Sequence, residues 1–402
     1  MNRLTFVCLT LVLLLSPFQW GLFFDANLIL WEGIIFLLFI ANLIWYIVKA
    51  PEVLISNRAY FLVFLLPLMY AFSARVAINP AGNASTLIRF LMYSCFFLML
   101  IWTKATLRKN QPFYDVFHAL GLLFLLFSAA DSYGLIHLSH SMVGCIPGRL
   151  CGPVRYPNTF GAIVGAYWFL LFAALIYRKK VNGLDGFLVI LLIGYGLVLL
   201  RTVSRGSYIF FAVTLGLAVL LMHRKWKKLG AVFLLALLLI GGFTLLHHDF
   251  LSGISLIADT QKSRLFDGGT AVTRIDFYRQ AIAMSRQSPL FGFGGNSWPV
   301  YYPEHANQGL GLDQVHNGYL DFLIEIGWVG LIVFVSVLGW LVFLISRSKT
   351  ASPIKIGALL ALAMLFGHAM VDYDLSYGTI WLLIFWLIAT GLDVKGETGW
   401  KK

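Results

Sequence analysis

Arg201-Thr-Val-Ser-Arg205-Gly-Ser-Tyr interrupts two long apolar stretches. A guanidinium presents a planar fork of donors, keeps its charge and matches phosphate oxygens two at a time. Gly206 lets backbone come close to a ligand, and Ser207 is placed to cap the helix that follows. The N-terminus of that helix would add partial positive charge and free N–H groups, so the pattern predicts an anion site. Much later, Val315-His316-Asn317-Gly318 leads from a polar segment straight into an apolar run. An imidazole with a reference pKa of about 6.5 can take a proton from an alcohol as that oxygen bonds to carbon. A lone His at a helix start is more often structural, and spacing alone does not assign it to catalysis.

The elements that must hold these residues are membrane helices. The chain has 402 residues, of which 59% are hydrophobic and 12% charged, with a mean hydropathy of +0.82. That is more apolar surface than a soluble core buries. Runs able to cross roughly 30 Å of hydrocarbon as helices fall at 4–24, 27–48, 59–78, 87–103, 116–131, 159–177, 184–200, 206–222, 229–246, 320–346, 356–373 and 376–392. The expected fold is an all-α integral membrane protein of about twelve helices, one polytopic domain over 1–402. A large extracytoplasmic segment, 247–318, is inserted between the ninth and tenth spans. The first run lacks a small-residue cleavage site and reads as a retained helix.

Lys and Arg near helix ends stay cytoplasmic during insertion. Placing both termini inside gathers 19 of the 30 basic residues there, from Arg3 and Lys49 through Lys104 to Lys402, with Lys in the majority. The remaining eleven are all Arg but one: Arg75, Arg89, Arg149, Arg155, Arg201, Arg205, Lys262, Arg264, Arg274, Arg279 and Arg286. Solvated Lys suits a surface of anionic headgroups, whereas an Arg-rich outer face predicts recognition of a phosphorylated anion. The net charge of +12 is thereby assigned to topology and not to nucleic acid.

Two outer segments exceed a simple turn. The first, about 131–158, holds Cys145 and Cys151, thiols close enough in sequence to pair in an oxidising compartment, although spacing alone does not fix the geometry. Cys8 and Cys95 lie within spans and read as packing residues. In the second, Thr273 is expected to cap a helix from Arg274 to about Gln287 with Ile275, Tyr278 and Ile282 as its apolar stripe. That short amphipathic helix would rest on the membrane surface and present Arg274, Arg279 and Arg286 to a lipid-attached substrate. Phe291-Gly-Phe-Gly-Gly-Asn fits a tight path, but no strand precedes it and no Lys-Ser/Thr closes it, so it is no nucleotide loop. His247-His248-Asp249 and Glu304-His305 lack the spacing of a closed metal site.

Thr202-Val-Ser-Arg-Gly-Ser, Thr273-Arg-Ile-Asp-Phe-Tyr with Pro289-Leu-Phe-Gly-Phe-Gly, and His316-Asn-Gly-Tyr-Leu-Asp-Phe-Leu-Ile-Glu-Ile-Gly resemble the O-antigen ligase family and its related polymerases. The resemblance covers roughly 155–330 as motifs and is most specific at His316. It implies a metal-independent, cofactor-free glycosyltransferase of the bacterial inner membrane, active on the periplasmic face in lipopolysaccharide and other cell-envelope polysaccharide biosynthesis. Its donor would be an undecaprenyl diphosphate-linked glycan and its acceptor lipid A core or another glycan. By position, Arg205 and Arg274 are similar to the family's diphosphate-binding arginines and His316 to its essential histidine.

The expected mechanism follows. Arg205, Arg274 and Arg201 hold the diphosphate, with Arg279 nearby on the same helix as Arg274, while His316 orients or deprotonates an acceptor hydroxyl. A polyprenyl diphosphate is already an activated leaving group, so charge stabilisation replaces the paired carboxylates of a glycosidase, and a single displacement inverts the anomeric centre. Asp321 and Glu325 either orient His316 or bind sugar hydroxyls, and tethering by Asn317 is equally open. His368 and Asp372 share a face in the eleventh span and border the same cavity or simply pack between helices. Ligation is the reading adopted. Polymerisation of lipid-linked repeat units is the alternative within the superfamily, and a flippase for the lipid-linked glycan is the alternative from another class.

Overall fold

A computed structural model describes residues 2–107, 111–132, 134–136, 145, 149–178, 183–225, 227–232, 234, 269–288, 290–301 and 314–394. Among these residues there is no strand. The principal helices in chain order are α1 (Asn2–Leu15), α2 (Asp25–Lys49), α3 (Leu65–Ser73), α4 (Pro80–Leu107), α5 (Gln111–Ser132) and α6 (Pro157–Tyr177). They continue as α7 (Gly183–Thr202), α8 (Arg205–Leu221), α9 (Gly269–Ser285), α10 (Gly318–Arg347), α11 (Ser352–His368) and α12 (Gly378–Gly391). Among the described residues five helices, α2, α4, α5, α6 and α10, are long and apolar enough to cross a membrane, and the other apolar helices are shorter. Residues 233 and 235–246 of the ninth expected span, and 247–268 and 302–313 of the outer segment, lie outside the described residues. So do His247-His248-Asp249 and Glu304-His305.

Several expected spans end early for local reasons. The first stops as an α-helix at Leu15, where Ser16-Pro17 begins a 3-10 turn and Pro17 has no N–H to continue the ladder. The third opens as a 3-10 segment over Arg58–Phe64 before α3 begins. The eleventh ends at His368, so Asp372 lies in the turn beyond it and the expected shared helical face of these two residues does not form.

The chain divides into two compact units. One comprises Met1–Val116, Arg274–Thr350 and Ala369–Lys402, and the other Phe117–Thr273 and Ala351–His368. In the first unit α4 packs against α1, α2, α3 and α12. It is buried on every face from Met92 to Ala105, and every residue of α12 is buried. Helices apolar all round belong in an interior. Trp381 of α12 joins them, parallel to Tyr93 at 5.9 Å and edge-on to Phe90 at 5.0 Å. In the second unit α6 packs against α7, α8 and α11. Its first turn carries Pro157, whose fixed φ and missing N–H suit that position.

Helix α10 is broken at Gly327 (φ 66°, ψ −172°). The break diverts Val329 N–H to Leu290 O (3.2 Å), and the carbonyls of Ile324 and Glu325 receive Phe293 N–H (2.7 Å) and Gly294 N–H (2.9 Å) instead. Unpaired backbone is costly away from water, and the glycine-rich loop repairs it. The close path demands glycine: a Cβ on Gly292 (φ 69°) would fall 2.4 Å from the Glu325 carbonyl carbon.

Candidate active site

Asn317 caps α10, its Oδ1 accepting from Tyr319 N–H (3.0 Å) and Leu320 N–H (3.1 Å). The residue before it, His316, adopts a left-handed backbone (φ 59°), a conformation that costs a non-glycine residue about 1–2 kcal/mol. It is held there from two sides. Tyr278 of α9 donates its hydroxyl to His316 O (2.8 Å), and Gly318 N–H bonds to Ala369 O (2.9 Å) and Asp372 O (3.2 Å). Burial raises the Tyr278 phenol above its ordinary range, against the opposing charge of Arg274, so it stays a donor.

The imidazole Nδ1 lies 3.3 Å from Asp372 Oδ1, and the same oxygen accepts Tyr373 N–H (3.0 Å). The other oxygen, Oδ2, takes Arg274 Nη2 at 3.1 Å, while Arg274 Nη1 bonds to Val371 O at 3.0 Å. Asp372 is 1% exposed, Arg274 30% and His316 14%. A carboxylate this deep needs charged partners, and here it has a guanidinium on one edge and an imidazole on the other. Donation from Nδ1 leaves Nε2 as the lone-pair nitrogen, the tautomer a proton acceptor requires. Tyr373 packs edge-on against the ring (4.8 Å), and Phe277 lies nearly parallel to it at 6.5 Å.

Helix α9 differs from its expected form. It begins at Gly269, so Thr273 lies inside it and not at its start, and it ends at Ser285. Nothing in Thr270-Ala-Val breaks the helix before Arg274. Its buried face is Phe277, Ala281 and Met284, packed with Trp298, Val315 and Ile324. Ile275 and Ile282 are exposed and Tyr278 is half-buried. Two helical stripes were open to this sequence, and the one that meets Trp298 faces inward. Arg274 then points to Asp372, whereas Arg279 stays exposed and, among the described residues, pairs with Asp276 (3.3 Å).

Asp321 and Glu325 do not orient His316, because Asp372 does. Asp321 Oδ1 accepts Val315 N–H (3.3 Å). Glu325 accepts the Tyr70 hydroxyl on Oε2 and Asn296 N–H on Oε1, both at 2.7 Å. Both carboxylates line a cavity of about 430 Å³ in this unit.

Arg201 and Arg205 belong to the second unit. Arg205 is the first residue of α8, and its cap is Ser204, whose Oγ accepts Ser207 N–H at 3.3 Å. Ser207 is therefore the donor and not the cap, since the cap lies three residues earlier than expected, at Ser204. Arg201 bonds to the Ser132 hydroxyl, and its carbonyl accepts Leu150 N–H (2.8 Å). The turn between them carries Val203 at φ 50°, a strained state for a β-branched residue. Arg149 braces it, donating to Thr202 O (2.9 Å), Val203 O (3.3 Å) and Asn158 Oδ1 (2.9 Å). Beside it Cys145 and Cys151 form a disulfide with Cα atoms 6.0 Å apart, while Cys8 and Cys95 are free thiols.

Sequence reasoning left Asp372 between bordering the cavity and packing between helices, and its link to His316 and Arg274 had no signal beyond a carboxylate at the edge of an apolar run. Residues 187–335 match the family model described as O-Antigen ligase. The matched stretch contains Arg201, Arg205, Arg274, Arg279, His316, Asn317, Asp321 and Glu325, and Asp372 lies beyond it. No curated protein matches the chain. Residues 187–335 are thus similar to an O-antigen ligase domain, in a chain whose described residues include five helices long and apolar enough to cross a membrane.

Proposed function

We propose that this chain transfers a glycan from an undecaprenyl diphosphate carrier to an acceptor hydroxyl at the outer face of the cytoplasmic membrane, with both termini cytoplasmic. The observation that carries this reading is the hydrogen-bonded chain Arg274–Asp372–His316. It supplies a fixed proton acceptor and a guanidinium tied to the same carboxylate.

His316 Nε2 takes the acceptor's proton as that oxygen bonds to the anomeric carbon. The bond from that carbon to the phosphate oxygen breaks, and the diphosphate leaves with the electron pair. Arg274 stabilises the charge that gathers on it, and Arg205, at a helix N-terminus, has the same chemistry to offer. Asp372 stabilises the imidazolium that forms, as the third member of a nucleophile–base–acid relay does. Direct displacement inverts the centre and calls for no metal.

Ligation to lipid A core is the reading adopted here, and polymerisation of lipid-linked repeat units at the same donor site is the alternative. The test incubates the purified protein in lipid with an undecaprenyl diphosphate glycan and either lipid A core or donor alone. Transfer to lipid A core supports ligation, and chain growth on the carrier replaces it with polymerisation. Turnover that survives His316→Ala defeats the mechanism for either product.

A further inference from the structure

The 430 Å³ cavity of the first unit has the opposite chemistry to the arginines. Three carboxylates line it, Asp25, Asp321 and Glu325. The one guanidinium among its described lining residues, Arg89, is ion-paired with Asp25 and donates to Phe23 O (2.8 Å). A cavity lined by carboxyl oxygens, with its one arginine already paired, has no free cation for a diphosphate and offers acceptors to neutral hydroxyl donors. Glu325 already has both oxygens engaged. Asp321 does not: it is 8% exposed, and its Oδ2 has no hydrogen-bond partner among the described residues. A buried carboxylate oxygen without a partner marks a place for a donor.

The remaining wall is aromatic, with Phe90, Tyr93 and Trp381 among its rings. Rings supply a flat apolar platform and a few polar groups fix orientation, the usual make-up of a small-ligand site, and the volume lies in the usual range of about 300–1,000 Å³. A pyranose has both halves of the complement, C–H faces for the rings and hydroxyls for the carboxylate. The cavity also has an address. Gln314 and Gly318, two residues before and two after His316, form part of its wall.

We infer that this cavity is the subsite for an uncharged sugar unit of the acceptor glycan, with Asp321 Oδ2 accepting a hydrogen bond from one of its hydroxyls. The word acceptor rests on the transfer reaction proposed above, because His316 is there the base for the acceptor hydroxyl. Sugar binding itself does not depend on that reaction.

The test uses the full chain in lipid nanodiscs. Saturation-transfer difference NMR with methyl α-glucoside and methyl α-galactoside reads binding without turnover. Steady-state transfer with undecaprenyl diphosphate glycan and lipid A core varied in turn reads a KM for each. At least one glycoside should give a signal that Asp321→Asn removes, and Asp321→Asn should raise the acceptor KM about tenfold with the donor KM unchanged, the loss of one hydrogen bond to a charged group. Gln314→Ala, in the loop before the helix, should shift both readings the same way by less, which keeps the test open if Asp321→Asn fails to fold. A donor KM that rises alone, or binding and acceptor KM unmoved in both variants, overturns the inference. If glycoside binding needs Asp321 but no acceptor is ever glycosylated, the transfer reading fails and the sugar site stands. If transfer requires His316 but neither cavity variant has an effect, the cavity assignment alone fails.

Discussion

Asp372 Oδ1 and His316 Nδ1 meet at 3.3 Å across 56 residues of sequence, and the second oxygen of that carboxylate holds Arg274. Asp372 thus fixes the imidazole tautomer and the guanidinium position together. Asp372→Asn keeps the shape, and its amide can still accept from Nδ1, but it no longer balances an imidazolium or pairs with Arg274. We expect kcat to fall by about 10²–10⁴, the usual worth of positioned proton transfer, with the fold intact by size-exclusion and circular dichroism. A kcat within threefold of wild type would remove Asp372 from the mechanism.

The break in α10 makes a second prediction. A Cβ on Gly327 would lie 2.4 Å from Leu290 O and 2.6 Å from Phe291 N, both rigid backbone, in a conformation reserved for glycine. Gly327→Ala should destabilise by about 2–4 kcal/mol through strain and lost loop hydrogen bonds. Gly339→Ala in the same helix meets nothing within 4 Å and should be neutral or stabilising by up to about 1 kcal/mol. Thermal unfolding of the two variants in one detergent decides it, and equal melting temperatures would contradict the strain argument.

What was legible in the sequence was whatever depends on local pattern. Apolar runs mark helices, and Asn317-Gly-Tyr-Leu-Asp marks the start of α10 with His316 just outside it. Arg274 was readable by its place in a motif, but its partner was not, since Asp372 follows a helix that ends five residues earlier than hydropathy suggests. The stripe of α9 was misread for a similar reason. Ile275-Tyr278-Ile282 and Phe277-Ala281-Met284 are both helical faces, and only the position of Trp298 and Val315 chooses between them. Lys104, read as a cytoplasmic surface charge, is 4% exposed. Each miss depends on a partner far away in sequence, which periodicity does not encode.

The turn at Thr202-Val203 yields a third prediction. Arg149 satisfies the carbonyl of Thr202, the last residue of α7, and that of Val203 in the turn before Arg205, and Val203 itself is strained. Arg149→Ala leaves those carbonyls to water and lets the turn relax, so the N-terminus of α8 loses its fixed direction. The donor KM should rise about five- to tenfold, roughly 1–1.4 kcal/mol, with the acceptor KM unchanged. Cys145→Ser with Cys151→Ser should act in the same sense but less, because Arg149 still braces the turn. An unaltered donor KM in both would mean that Arg205 does not bind the donor.

Lys104 gives the last prediction. Its Nζ donates to Ala389 O and Thr390 O at the end of α12 and to Leu392 O just beyond it. A helix C-terminus carries partial negative charge and unpaired acceptors, so an ammonium placed there answers both. Lys104→Met fits the same stem into the core but takes the ammonium donor from three buried carbonyls, leaving Leu392 O only a long contact from the Thr350 hydroxyl (3.5 Å). We expect a loss of about 3–5 kcal/mol, the range for removing one partner of a buried charged cluster, seen as a lower melting temperature and faster aggregation on heating. Lys104→Arg should not restore stability, because a planar fork does not direct three donors at carbonyls gathered around a point. Since Lys104 touches none of Arg274, Asp372 or His316, the folded fraction of Lys104→Met should keep wild-type turnover per molecule. A selective loss of kcat with unchanged melting would mean that this lysine serves the reaction and not the helix end.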